Sequence, residues 1–184
     1  MELLRSLRIA VTALALSTLV LPAYAQTPLP DPEREYALKS VFLYNFCRFI
    51  GWPEKAFASP TEPLIIGVIG QDPFGSLLEE AVQGESIGSR PIRIEHYREP
   101  REAARCHLLF ISRSEMPRLN QILAAVAGRA VVTVGETDLF LERGGMIALT
   151  TEQNRVRLRI NPNKLRAASL DVSSKLLRVA DIKT

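Results

Sequence analysis

The sequence predicts an α/β fold: a single-domain sandwich on a mostly parallel, Rossmann-like sheet, with an antiparallel hairpin towards the C-terminus. Three observations carry this expectation. The apolar runs LIIGVIG, CHLLFIS and AVVTVG are short and rich in β-branched residues, and segments of helical pattern separate them; such alternation builds parallel strands with helices packed on them. MIALT and RVRLRI flank the short stretch TEQN, as the arms of a hairpin do. The chain has 184 residues, 47% of them hydrophobic, so it can bury a core without metals or many disulfides.

The first element is not part of that domain. Arg5 and Arg8 precede an apolar run from Ile9 to Leu21, and Ala23 and Ala25 supply small residues at a cleavage site. This pattern predicts a secretory leader over residues 1–25 and a mature chain starting at Gln26. The run is shorter than the roughly 20 residues of a spanning helix, and no later segment is long and apolar enough to span. For a bacterial chain the destination is the periplasm or the exterior. Without the leader, 21 basic and 19 acidic residues remain. That balance is too close to neutral to point to nucleic acid or a polyanionic surface.

QTPLPDPERE follows, proline-rich and polar, and predicts a tether over residues 26–34. The domain then occupies residues 35–184. From Glu35 to Ile50 there is no glycine or proline and apolar residues cover most faces, which predicts a helix buried on more than one side. Gly51-Trp52-Pro53 ends it. LIIGVIG is the first buried strand, and QDPFGSLLEEAVQG a helix with Asp72 as N-cap, Pro73 in the first position and Gly84 at the end. PIRIEHY alternates as a strand, CHLLFIS is a buried one, and MPRLNQILAAVAG is a helix closed by Gly128. AVVTVG and the hairpin come next. Two helical pieces finish the chain, one capped by Asn161-Pro162 and one over roughly Leu170 to Ile182.

Catalytic chemistry has no support in the residues. GVIGQDPFG follows a strand, but it matches neither dinucleotide nor P-loop spacing, and Asp72 puts a carboxylate where an anion would sit. His96 and His107 are the only histidine bases. Cys106 and His107 are neighbours on a strand and point to opposite faces, so they cannot act as nucleophile and base. The same geometry defeats a zinc site from Cys47, His96, Cys106 and His107. No catalytic residue, metal or cofactor is expected, and His107 reads as a hydrogen-bonded core histidine beside Leu109 and Ile111.

Binding residues can be named with alternatives beside them. YNFCRFIGWP concentrates aromatic residues. Phe42, Phe46, Phe49 and Ile50 share adjacent helical surface and read as core, whereas Arg48 and Trp52 suit contact with a partner or ligand. Arg155, Arg157 and Arg159 share one face of a strand. They read either as a solvated edge or as a site for an acidic protein surface or small anion. Phe140 to Met146 offers apolar side chains beside a double glycine, either a contact surface or a plain turn. The two cysteines, Cys47 and Cys106, predict a disulfide in an oxidising compartment; two buried free thiols are the competing reading.

YALKSVFLYNFCRFIGWP, LIIGVIGQDPFG, CHLLFIS, LFLERGGMIAL and RVRLRINPNKLRAASLDVSSKLL, in that order, resemble the YfiR-like family of small exported bacterial proteins. The similarity runs from about Glu35 to Ile182. It implies an α/β sandwich, often dimeric, with no catalytic centre. Such proteins restrain an inner-membrane diguanylate cyclase by binding its periplasmic portion, in some cases with an outer-membrane lipoprotein as antagonist, and so regulate cyclic di-GMP and biofilm formation. A redox control built on two disulfides does not carry over to a chain with two cysteines. The alternative of a different class is a periplasmic small-molecule binder or sensor with a pocket near the aromatic helix.

Overall fold

The computed structural model describes residues 31–183; the expected leader and most of the expected tether lie outside the described residues. In chain order the elements are α1 (Pro32–Phe49), β1 (Ile50–Gly51), β2 (Leu64–Ile69), α2 (Leu77–Val82), β3 (Ser86–Ile87), β4 (Arg90–Tyr97), β5 (Leu108–Ile111) and α3 (Leu119–Val126). They continue as β6 (Val132–Gly135), α4 (Asp138–Glu142), β7 (Ile147–Glu152), β8 (Arg155–Ile160), α5 (Pro162–Ala167), β9 (Asp171–Val172), α6 (Ser174–Leu177) and β10 (Asp181–Ile182). Eight strands form one sheet in the order β10-β8-β7-β6-β5-β2-β4-β3. From β4 to β7 the pairings are parallel, and β8 returns antiparallel on β7. The expected hairpin turns through Gln153 and Asn154, with φ of 50° and 59°. Two successive positive φ values are those of a type I′ turn, whose twist matches that of the strands it joins.

Strand side chains alternate between two cores. Ile66, Val68, Leu108, Phe110, Val132, Val134, Ile147, Leu149, Leu158 and Ile160 face the layer of α1, α2, α5 and α6. Leu109, Ile111 and Ala148 face α3 and α4. The aromatic stretch belongs to the first core: Phe46 is fully buried, and Phe42, Phe49 and Trp52 pack against it.

Several boundaries differ from expectation. α1 starts at Pro32, ahead of Glu35, because Asp31 accepts the Arg34 N–H at 3.3 Å and proline is tolerated in a first turn. α1 ends in β1 and not in a glycine cap, since Ile50 and Gly51 pair with Val172 and Asp171. α2 starts at Leu77; Asp72 instead accepts the Phe74 N–H at 2.8 Å in a turn before the helix. The expected helix over Leu170–Ile182 is cut to α6, because the segments beside it pair with β1 and β8.

The Cys47–Cys106 disulfide is absent and both thiols are free. Cys47 lies in the core beneath α1, whereas Cys106 lies in the core on the opposite face, with its Sγ beside Gly67. The sheet stands between them. Burial pushes both thiols up, Cys106 to about 12, so they behave as small buried hydrophobes.

His107 is the core histidine expected. Its Nδ1 accepts the Ile65 N–H at 3.0 Å, its Nε2 donates to the Ala56 carbonyl at 3.2 Å, and Phe57 stacks on the ring at 4.4 Å. A neutral ring protonated on Nε2 satisfies both bonds; a second proton would face the Ile65 N–H. Burial, partly opposed by the Ala56 bond, lowers the pKa below the ordinary 6.5. In acid the unfolded chain therefore takes up this proton before the native one does. Stability from this group is complete above about pH 6.5 and is lost as pH falls from there towards the depressed native pKa. Urea midpoints measured from about pH 7 to about pH 5 should fall in the parent and fall less steeply in His107→Gln. Equal slopes would assign the acid sensitivity to other groups.

Candidate functional site

β2 and β5 are parallel neighbours, but the chain leaves them towards opposite faces. After β2 it enters α2, whose Leu78 and Val82 lie in the first core; after β5 it reaches α3, whose Leu119 and Ile122 lie in the second. Loops that diverge in this way open a crevice beyond the carboxyl ends of the strands, the usual ligand position in open α/β sheets. Here the crevice has a volume of about 450 Å³. Gln71, Asp72 and Pro73 line it from the β2 loop, Ser112, Arg113 and Ser114 from the β5 loop, Glu136 from the end of β6, and Tyr36 from α1. The two loops are fitted to each other. Gly70 turns at a φ of +94°, and a Cβ there would lie 2.5 Å from Glu115 Cγ. The next N–H, from Gln71, donates to Ser114 Oγ at 3.0 Å.

A buried charged cluster adjoins the crevice through Glu136 and Tyr36. The Lys39 side chain is 1% exposed and Glu136 2%. Lys39 Nζ donates to Oε1 of Glu136 and to Oε1 of Glu35, both at 2.6 Å, and lies 4.6 Å from the centre of the Tyr36 ring. Tyr36 donates its hydroxyl to the same Glu136 oxygen at 3.0 Å. Burial and then the Glu136 charge push the Tyr36 phenol far above its ordinary value, so it remains a donor. For Glu35, burial raises the pKa, but the Lys39 and Thr151 bonds and the charges of Lys39 and Arg113 outweigh it and leave the carboxyl below the usual value.

The rim differs. Asp72 Oδ2 meets His96 Nε2 at 2.9 Å, so this carboxylate has a partner on the adjacent strand β4. Arg113 is exposed, and among the described residues its guanidinium has no carboxylate within ion-pair distance. Among the described residues no group of three or more His, Cys, Asp or Glu could hold a metal ion, and no helix is long and apolar enough to cross a membrane.

The residues proposed from sequence are not brought together. Arg48 is exposed on the last turn of α1, with its guanidinium 5.8 Å from the Tyr44 ring. Trp52 is half-buried and donates its indole N–H to the His107 carbonyl at 3.1 Å, towards the amino ends of the strands. Arg155 and Arg157 are exposed at the far end, on the sheet face opposite α1. Arg159, on their face, bonds Asp138 and Glu152. Met146 packs partly buried against the first core. Phe140 corrects the expectation most sharply. It is 0% exposed and belongs to α4, and its ring packs against Gly145 of the double glycine and against Gly135. The exposed apolar side chain there is its neighbour Leu139.

Sequence reasoning missed Tyr36, Lys39, Arg113 and Glu136. Two signals for them were present. Glu35 and Lys39 are an i,i+4 charge pair at the start of a helix that otherwise reads as buried. Arg113 and Glu136 each lie immediately past a buried parallel strand, where fold geometry gathers functional side chains.

Comparison with known proteins gives two findings. The family model described as YfiR/HmsC-like matches residues 36–181. A crystal structure of a conserved domain protein from Vibrio cholerae O1 biovar El Tor strain N16961 is similar in fold, with a TM-score of 0.51 at 10% identity. The likeness covers 66% of this chain and spans 55% of the length of that one. No curated protein matches.

Proposed function

This chain belongs to the YfiR/HmsC-like family, and on that premise we propose that it is a periplasmic protein that represses a membrane-bound diguanylate cyclase and turns over no substrate. The family match across nearly the whole described domain carries the reading. Export with cleavage after Ala25 is part of it, as are a homodimeric state and antagonism by an outer-membrane lipoprotein. A domain outside the membrane cannot touch a cytoplasmic catalytic site. It acts by binding the external part of the cyclase more tightly in its inactive conformation. A tenfold preference shifts that equilibrium by about 1.4 kcal/mol, and a firm switch needs several times as much.

The contact surface that fits this role is the outer face of β8 with the adjoining turn of α4. Arg155 and Arg157 are exposed there, and Leu139 is 44% exposed beside Asp138, which bonds Arg159. Arginine around an apolar anchor is a common interface composition. Deleting the gene in a strain that expresses the neighbouring cyclase should raise cyclic di-GMP and surface attachment. Arg155→Glu with Arg157→Glu should do the same while leaving the thermal midpoint unchanged. Normal cyclic di-GMP in the deletion strain would reject repression, and normal levels in the double variant alone would move the contact elsewhere.

A further inference from the structure

We propose that the crevice beyond β2 and β5 binds a small hydroxylated organic anion, of the sugar-acid or sugar-phosphate class, through Arg113, Glu136 and Asp72. The crevice is built rather than incidental. An ion pair as buried as Lys39–Glu136 does not repay its desolvation in stability, and apolar side chains of similar volume serve a core at least as well. A ligand role fits its place: Glu136 lines a cavity at the fold's usual ligand position, and Lys39 bonds Glu136. A second groove of about 540 Å³ runs between α2 and β4, but its charged side chains, Glu79, Glu80, Arg93 and His96, are all exposed. No buried polar group points to a ligand there.

The accounting of charges selects the ligand. Glu136 shares the counter-ion Lys39 with Glu35, which also feels the charge of Arg113, and Asp72 has a hydrogen-bonded partner in His96. What these carboxylates still offer is lone pairs, which suit hydroxyl donors better than a second cation. Arg113 lies at the mouth and influences Glu35 through space without pairing to it, so its planar fork is available to a carboxylate or phosphate. Tyr36 and Pro73 add apolar surface on which carbon-bound faces can rest. A volume of about 450 Å³ lies within the range of small-molecule sites.

Occupation would be felt by α1. Tyr36 and Lys39 both bond Glu136, and Lys39 stands within one helical turn of Leu38 and Val41, which are 44% and 46% exposed. The binding claim does not depend on the cyclase reading, because it is tested on the isolated chain.

Isothermal titration with D-glucuronate and glucose 6-phosphate is the test, with glucose as the uncharged control and acetate as the control without hydroxyls. At least one of the two anions should bind, with both controls about tenfold weaker or more. Comparison of the two anions tells a carboxylate from a phosphate at Arg113. Arg113→Ala removes an exposed side chain and leaves both cores intact; it should weaken the binding about tenfold or more. Glu136→Gln keeps an acceptor and should weaken it in the same direction. Failure of both anions to exceed their controls, or undiminished binding in Arg113→Ala, would overturn the proposal.

Discussion

Phe140→Ala is expected to lower stability by about 3–5 kcal/mol, the range for removing a fully buried aromatic ring. The ring is 0% exposed, and two glycines shape its slot. A Cβ on Gly135 would come within 2.5 Å of it and a Cβ on Gly145 within 2.1 Å. Backbone on both sides is thus held at contact distance and cannot collapse to fill a void, so the cavity term is retained in full. Gly145→Ala should be damaging for the converse reason, since the added methyl has no space. Urea unfolding of purified Phe140→Ala measures the loss, and a cost below about 1 kcal/mol would mean that the slot closes on itself. A charge placed at Phe140 would unfold the domain and would say nothing about a partner.

Lys39→Met is the second large effect, at about 3–5 kcal/mol, because it leaves Glu136 buried without its counter-ion. Methionine fills similar volume, so the loss is electrostatic and not a cavity. Lys39→Met with Glu136→Leu should recover part of it, since the fully buried unpaired charge is gone; Glu35, 20% exposed, still lacks its partner, and Tyr36 loses its acceptor at a residual cost of about 1–3 kcal/mol if no water replaces it. A double-mutant cycle in chemical denaturation reads the coupling directly. Additive single and double costs would show that the two residues act independently despite their 2.6 Å contact.

The strands of the sheet were legible because burial on both faces leaves little choice of residue: LIIGVI and LLFI are apolar throughout, VTVG has Thr133 as its one polar residue, and each is a parallel strand. RVRLRI was legible through strict alternation, with Val156, Leu158 and Ile160 facing inwards. The short pieces were not. β1 and β9 have two residues each and owe their form to each other, a pairing that no local pattern announces. The same limit hid the site. Tyr36, Ser112, Arg113 and Glu136 meet only because the chain crosses back over β2 between β4 and β5, and that strand order is a property of the whole sheet. The disulfide expectation failed on a finer point. Compartment and an even cysteine count say nothing of which face of the sheet each thiol occupies, and the faces differ.

The pairing of β1 with β9 also sets an order of events during synthesis. Ile50 and Gly51 leave the ribosome long before Asp171 and Val172 exist, and the Ser173 N–H that bonds the Phe49 carbonyl at 2.9 Å comes later still. Closing a loop of about 120 residues costs on the order of 4 kcal/mol of chain entropy, which this small clip must recover together with the packing of α1. Until then the core that holds Leu43 and Phe46 lacks Leu170 and Leu176, members supplied by the end of the chain. A nascent or truncated chain lacking its last residues therefore shows an apolar helix to its surroundings, the kind of surface that chaperones hold and proteases find.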